Sequence, residues 1–245
     1  MNASLTVRTG EPVRTPSPSV DMTTELARRL AQAGGASLIE VNISCPNVED
    51  RGQVFACDPR SSADVVAAVR RASAPEVPVI AKLSPDVTDI VAIARSCVQA
   101  GADGLSMTNT LLGIVIDTDT LRPVLAGVTG GLSGPAIRPV ALRCVWQVHA
   151  AMPEVPILGM GGIRTGLDAL QFVLAGARAV SIGTETFHDP SAPVRVLAEL
   201  EEALAARGFA AVADAVGLAH AAPPLSEPLI DATHHRRRDS IDNPR

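Results

Sequence analysis

A complete strand–helix–strand unit occupies residues 77–110, VPVIAKLSPDVTDIVAIARSCVQAGADGLSMTNT. An apolar run over 77–83 is followed by an alanine-rich segment of helical period over 86–100, which ends at Gly101, and then by a second apolar run over 104–108. Short runs of Val, Ile and Leu predict strands, and the segment between them predicts a helix. Because both runs are almost wholly apolar, the strands are predicted to be buried on both faces, as in a parallel sheet.

The same alternation continues on both sides of this unit. Three more strands are predicted over 38–44, 155–159 and 179–182, which makes five in all. Five more helices are predicted over 23–33, 62–72, 135–151, 166–175 and 193–207. Repeated strand–helix units are typical either of an open doubly wound sheet or of a closed (β/α)₈ barrel.

Polar or glycine-rich clusters follow every predicted strand, and they favour the barrel. The clusters are SCPN (44–47), KLSP (82–85), TNT (108–110), GMGG (159–162) and GTE (183–185). In a barrel these ends converge on the face where active sites lie, and the two late glycine clusters fit a phosphate site. Five strands would leave a (β/α)₈ TIM barrel truncated at its N-terminus, with strands 4–8 present. The expected organisation is an irregular leader over 1–21, the partial barrel over 22–221 and a disordered tail over 222–245.

The composition excludes several classes of function. The 245-residue chain is 47% hydrophobic with a net charge of −5, and its 2% of aromatic residues include no tyrosine, which argues against a nucleic-acid surface. No apolar run approaches the roughly 18 residues of a membrane-spanning helix, and the N-terminus has no secretory pattern, so a cytoplasmic protein is expected. The four cysteines have neither disulfide-scaffold nor zinc spacing, and no metal site is predicted.

Six segments together resemble the dihydroorotate dehydrogenase family. They are VNISCPN (41–47), AKLSPDVTDI (81–90), GADGLSMTNTLLG (101–113), GGLSGPAIRPVAL (130–142), ILGMGGI (157–163) and SIGT (181–184). The resemblance extends from about residue 23 to residue 207 and is greatest to the bacterial NAD-linked branch. It implies oxidation of dihydroorotate to orotate in pyrimidine synthesis, with FMN as the hydride acceptor.

The resemblance assigns substrate chemistry to the loops after the strands. Cys45 resembles the family's catalytic base, although a lone cysteine after a strand is more commonly a small buried side chain. A thiol with an ordinary pKa of about 8.5 needs a closed loop that favours its thiolate. Substrate-binding residues are expected at Asn42, Asn47, Asn109 and Thr110, since amides offer both donors and acceptors to a uracil-like ring.

The resemblance also assigns FMN contacts. Lys82 ends an otherwise apolar strand, where a charge is costly unless paired, and it corresponds to a lysine beside the flavin ring. Glycines let backbone N–H groups approach a phosphate without interference from Cβ. The expected FMN-binding set is Asn42, Lys82, Thr108, Gly134, Gly161, Gly162, Gly183 and Thr184.

The resemblance implies partners, and it leaves alternatives open. Relatives of the NAD-linked branch work with a subunit that carries FAD and an iron–sulfur cluster, and the four cysteines of this chain lack cluster spacing. A homo- or hetero-oligomer is therefore expected. One alternative is a related flavin oxidoreductase that acts on dihydropyrimidines such as dihydrouracil. Another is an inactive truncated fragment of the family, because the flavin and substrate contacts of the family's N-terminal part are not recognisable before Met22.

Overall fold

A computed structural model describes residues 2–6, 18–33, 36–43 and 58–221 of the chain. Six parallel strands form its main sheet: Asn2–Thr6 (β1), Leu38–Asn42 (β2), Val79–Leu83 (β3), Gly104–Met107 (β4), Ile157–Met160 (β5) and Ala179–Ser181 (β6). Their spatial order follows the chain order, with β1 and β6 at the two edges. This is the strand order of a (β/α)₈ barrel, so the predicted TIM-barrel class is confirmed.

Helices follow the strands in regular alternation. Five of them are Pro18–Ala33 (α1), Pro59–Ala72 (α2), Ile90–Gln99 (α3), Arg138–Ala151 (α4) and Gly166–Leu174 (α5). After β6 come Glu185–His188 (α6), Ala192–Ala205 (α7) and Leu218–Ala221 (α8). Short 3-10 turns lie at Pro135–Ile137 and Val212–Ala215.

The predicted irregular leader over 1–21 is wrong in two places. Residues Asn2–Thr6 form strand β1, which pairs in parallel register with β2, and helix α1 begins at Pro18. The main sheet therefore has six strands rather than the five assigned as strands 4–8. A five-residue segment with one large aliphatic side chain, Leu5, has little periodicity of its own, and its pairing with β2 makes it a strand. The tail over 222–245 lies outside the described residues.

Capping side chains set the helix starts. Asp58 accepts a hydrogen bond from the Ser61 N–H and caps α2. Asp89 accepts from the N–H groups of Val91 and Ala92, so α3 begins at Ile90 rather than at the predicted residue 86. An aspartate at this position satisfies N–H groups that have no partner within the helix.

The long stretch between β4 and α4 contains two small antiparallel ribbons. Leu111–Gly113 pairs with Gly130–Leu132, and Ile116–Asp117 pairs with Arg122–Pro123. Most side chains between 112 and 132 are exposed. This excursion begins directly after the polar end of β4.

The two faces of the sheet differ in chemistry. The helix-facing residues are buried and apolar, as Val41, Ala81, Leu105 and Ile157 illustrate. The alternate positions face the barrel interior, because strand side chains alternate between faces. Among the described residues, no helix is long and apolar enough to cross a membrane.

Candidate active site

One rung of the parallel sheet brings together polar residues from three strands. Asn42 of β2 is the register partner of Lys82 of β3, which in turn is the partner of Ser106 of β4. Ser106 is fully buried, and its hydroxyl has no hydrogen-bond partner among the described residues. The expected proximity of Asn42 and Lys82 is therefore present in the structure.

Glu40 is a second charged residue inside the barrel. It lies two positions before Asn42 on β2, and its Oε1 is 3.7 Å from Lys82 Nζ. Both side chains are mostly buried, at 20% exposure for Lys82 and 15% for Glu40. An ion pair at this depth offsets much of the cost of burying a lysine. Glu40 was missed by sequence reasoning, although a carboxylate within the apolar run LIEVN was a signal equal to that of Lys82.

The segment after β4 connects the neighbouring strands. Thr108 N–H donates to the Met160 carbonyl oxygen at 2.9 Å, and Asn109 N–H donates to the Leu83 carbonyl oxygen at 2.9 Å. Thr108 is buried, and its hydroxyl has no partner among the described residues. These bonds place the predicted contact residue Thr108 at the strand ends of the barrel.

The predicted substrate ligands Asn109 and Thr110 follow directly and are half-buried. Asn109 Oδ1 accepts a hydrogen bond from the Thr110 N–H at 2.9 Å, which holds the amide in a local turn. A Cβ added to Gly131 would meet Thr110 Oγ1 at 2.2 Å. The base of the excursion therefore packs directly on Thr110.

Three of the predicted glycines form a compact cradle. Gly134, Gly161 and Gly162 have φ values of 78°, 128° and 74°, which L side chains rarely adopt. A Cβ on Gly162 would lie 2.6 Å from the Gly134 carbonyl oxygen, so the two loops touch through their backbones. A Cβ on Gly161 would lie 2.8 Å from Ala141 Cβ.

The cradle fits an anionic group such as the phosphate of FMN. The hydrogen bonds of the described residues include none donated by the backbone N–H of Gly161, Gly162 or Ile163. Successive free N–H groups of this kind are typical of anion sites. Outside its own chain neighbours, no atom of the described residues lies within 4 Å of a Cβ built on Gly134, which leaves space beside the turn.

The other predicted FMN-binding pair lies after β6 and is more open. Gly183 and Thr184 are exposed, and a Cβ on Gly183 would meet no atom of the described ranges within 4 Å. The Gly183 carbonyl oxygen accepts from both the N–H and the hydroxyl of Thr186. These bonds fix the direction of the Gly183 carbonyl.

Two predicted site residues, Cys45 and Asn47, lie outside the described residues. The described cysteines are Cys97 in α3 and Cys144 in α4, and both are buried. Burial raises the pKa of the Cys97 thiol to about 12 and also raises the pKa of Cys144. Neither thiol is suited to proton abstraction at neutral pH, and both side chains pack in the hydrophobic core.

Comparisons with known proteins find relatives that match most of the chain. The family model "Dihydroorotate dehydrogenase" matches residues 12–204. The "Dihydroorotate dehydrogenase B (NAD(+)), catalytic subunit" of Geobacter sulfurreducens is 54% identical over 193 residues, covering 79% of this chain and 62% of that protein. The protein of the same description from Desulforamulus reducens is 52% identical over 196 residues, covering 80% of this chain and 64% of its own length. The chain thus spans less than two thirds of these relatives.

A solved structure agrees with the sequence comparisons. The crystal structure of DHODH in complex with ferulenol from Eimeria tenella superposes with a TM-score of 0.70 at 27% identity. The superposition covers 84% of this chain and 59% of that one. The ligand-free form from the same organism gives a TM-score of 0.68 at 29% identity.

Proposed function

Because the chain belongs to the dihydroorotate dehydrogenase family, we propose that it oxidises dihydroorotate to orotate with FMN as the cofactor. The observation that carries the proposal is Lys82, a cation inside the barrel on the same rung as Asn42 and Ser106. A cation at this place suits a flavin ring that becomes anionic on reduction.

The phosphate end of FMN would be held by the glycine cradle. The backbone N–H groups of Gly161, Gly162 and Ile163, which donate no hydrogen bond within the described part of the chain, would supply donors, and Gly134 would leave space beside them. Gly183 and Thr184 would bind from the neighbouring strand end. Thr108, whose buried hydroxyl has no partner among the described residues, follows Ser106 of the interior rung by two positions, and its Oγ1 lies 3.8 Å from a Cβ built on Gly161.

The proposed reaction consists of one proton transfer and one hydride transfer. Cys45, as its thiolate, would take one proton from C5 of dihydroorotate and become a neutral thiol. FMN, when bound, supplies the acceptor for the hydride that leaves C6, so that two electrons pass to the flavin and orotate remains. Lys82, which is 20% exposed, would stabilise the negative charge that the bound flavin gains on reduction, because a low dielectric strengthens the attraction.

The pyrimidine ring would be oriented by amide and hydroxyl groups. Asn42 ends β2, and Asn109 and Thr110 follow β4 on the other side of β3, while Asn47 comes two residues after Cys45 in sequence. Amides can both donate to the ring carbonyls and accept from the ring N–H groups. This pattern supports a uracil-like substrate without distinguishing dihydroorotate from dihydrouracil.

We further propose a partner subunit. The similar proteins are described as catalytic subunits of an NAD(+)-linked enzyme, which implies a second component for those proteins. By family resemblance, that component would carry FAD and an iron–sulfur cluster and would pass electrons to NAD(+).

The test is anaerobic flavin reduction by the 245-residue chain. The purified chain is loaded with FMN, its visible flavin spectrum is recorded, and dihydroorotate or dihydrouracil is added. Bleaching by dihydroorotate supports the proposal, and bleaching by dihydrouracil alone would indicate the dihydropyrimidine alternative. A chain that binds no FMN, or whose flavin stays oxidised while a full-length relative reacts, would contradict the proposal and favour the inactive fragment.

A further inference from the structure

Arg138, the first residue of α4, connects two parts of the glycine cradle. Its guanidinium Nη1 donates to the Gly162 carbonyl oxygen at 3.3 Å and lies 2.6 Å from Asp168 Oδ1. The Arg138 and Asp168 side chains are 28% and 11% exposed. A charge-assisted contact of this length, largely shielded from solvent, is among the stronger polar interactions in proteins.

Asp168 extends this connection to the far end of the same loop. Its Oδ2 accepts hydrogen bonds from the N–H groups of Arg164 at 3.0 Å and Thr165 at 3.2 Å. The Asp168 N–H donates in return to Thr165 Oγ1, which completes a capping box at the start of α5. One carboxylate therefore restrains both Arg138 and the backbone of residues 164–165.

The other arginines near this loop have their own acidic partners. Arg164 pairs with Glu185 at 2.9 Å, and Arg195 pairs with Glu199 at 2.9 Å. Among the described residues, Asp168 has Arg138 as its one ion-pair partner. The charge of Arg138 is therefore matched by Asp168, which suits a role in positioning the loop more than direct pairing with a ligand phosphate.

The contact with Gly162 orients the N–H group of Ile163, which belongs to the same peptide. In a planar trans peptide, the carbonyl oxygen and the following N–H point in opposite directions. When Arg138 binds the Gly162 carbonyl oxygen, it turns the Ile163 N–H away from itself. At Gly162 the φ of 74° and the absence of a Cβ leave the turn little intrinsic stiffness.

We propose that Arg138 and Asp168 are positioning residues that hold the Gly161–Gly162 turn in the conformation that binds the phosphate of FMN. The inference rests on the proposed function, because it takes FMN as the ligand. It predicts that loss of the pair weakens recognition of the phosphate group while recognition of the flavin ring is unchanged.

The experiment compares FMN with riboflavin, which has the same ring system and no phosphate. Dissociation constants for both are measured by flavin fluorescence on the 245-residue chain and on Arg138→Gln and Asp168→Asn. We expect the FMN dissociation constant to rise about tenfold or more, as for loss of a hydrogen bond to a charged group, and the riboflavin constant to stay within about twofold. Arg138→Lys keeps a cation beside Asp168 and is expected to recover part of the FMN preference.

A matched control is available on the same helix. Arg143 donates to Gln147 on the exposed side of α4, and within the described ranges it forms no hydrogen bond or ion pair with the cradle, so Arg143→Gln should keep the full preference for FMN. The inference is overturned if the variants keep the wild-type ratio of the two constants, or if FMN and riboflavin weaken equally. If Arg138→Gln does not fold, the near-isosteric Asp168→Asn tests the inference by the same ratio of the FMN and riboflavin dissociation constants.

The two proposals fail in different ways. An unaltered chain that prefers FMN to riboflavin but does not oxidise dihydroorotate would contradict the proposed function. The positioning role would then still be tested by the ratio of the FMN and riboflavin dissociation constants in the variants. An unaltered chain that does not distinguish FMN from riboflavin would overturn the positioning role directly, because there would be no phosphate recognition to support.

Discussion

The imidazole of His220 stacks on the indole of Trp146, with ring centroids 3.6 Å apart and planes inclined by 15°. His220 also contacts the Ala175 carbonyl oxygen at 3.1 Å, and its ring lies 4.9 Å from that of His149. Its helix α8 is thereby held against α4 and α5. His149 is itself enclosed, because a Cβ on Gly176 would come within 2.1 Å of its ring.

This arrangement predicts a stability that falls in mild acid. Burial, followed by the charges of His220 and Arg178, lowers the pKa of His149 from its ordinary value of 6.5. The folded chain therefore resists a proton that the unfolded chain accepts, and the stabilising contribution is complete above pH 6.5 and declines as the pH falls below it.

Thermal unfolding between pH 5 and pH 8 measures this effect, at pH values chosen to span about 1.5 units either side of the ordinary histidine pKa. Trp146 is the one tryptophan of the chain and lies on the same helix as His149, so its fluorescence follows unfolding of that helix. His149→Gln should flatten the pH dependence of the unfolding temperature. An unchanged slope in this variant would assign the effect to other groups.

Gly162→Ala should reduce both stability and FMN binding. The added Cβ would lie 2.6 Å from the Gly134 carbonyl oxygen, and the φ of 74° alone costs a non-glycine residue about 1–2 kcal/mol. Gly127→Ala is the control, since its Cβ would meet its nearest neighbour at an ordinary 3.7 Å. Equal unfolding temperatures and FMN affinities for the two variants would contradict the cradle.

Glu40→Gln should raise the reduction potential of bound FMN. The carboxylate lies 3.7 Å from Lys82 Nζ and offsets part of its charge, so its removal leaves a stronger positive field for the reduced, anionic flavin. Lys82→Met should shift the potential in the opposite direction and slow flavin reduction. Potentiometric titration of the two variants measures both shifts, and shifts of the same sign would exclude this charge relationship.

Cys45→Ser should slow reduction of FMN by dihydroorotate about a hundredfold or more at neutral pH, the usual size of a general-base contribution. A serine hydroxyl is a much weaker acid than a thiol, so the rate should recover as the pH is raised. Cys57→Ser, at the other cysteine between β2 and α2, is the control and should react normally. Anaerobic stopped-flow measurement of flavin bleaching decides, and an unaffected Cys45→Ser rate would remove Cys45 from the chemistry.

Sequence reasoning succeeded where the pattern is local. The apolar runs and Gly101 located the strand–helix units around Lys82, and the family assignment from six motifs is confirmed by the comparisons. It missed β1, whose few residues depend on pairing with β2, and it missed Glu40, whose importance appears only when strand register places it beside Lys82.

For the glycine cradle too, the sequence predicts some features and not others. Gly134, Gly161 and Gly162 were predicted together because the family resemblance assigns all three to FMN, whereas of these three the barrel pattern alone indicates the two in the turn at 159–162. The contact between Gly134 and Gly162 and the pair of Arg138 with Asp168 join loops that are more than twenty residues apart in sequence. Such contacts follow from how the loops pack, which local periodicity does not encode.

The shared rung of Asn42, Lys82 and Ser106 restricts how strand lengths can change in evolution. Side chains alternate between the two faces along a strand. Deletion or insertion of one residue within β3 would therefore place the side chain of Ala81 or Leu83 in the barrel interior and that of Lys82 on the helix-facing side. Substitutions at the rung can be accommodated one at a time, whereas a single-codon length change removes the cation in one step. Changes in chain length should therefore accumulate in the connections, as in the exposed excursion between β4 and α4.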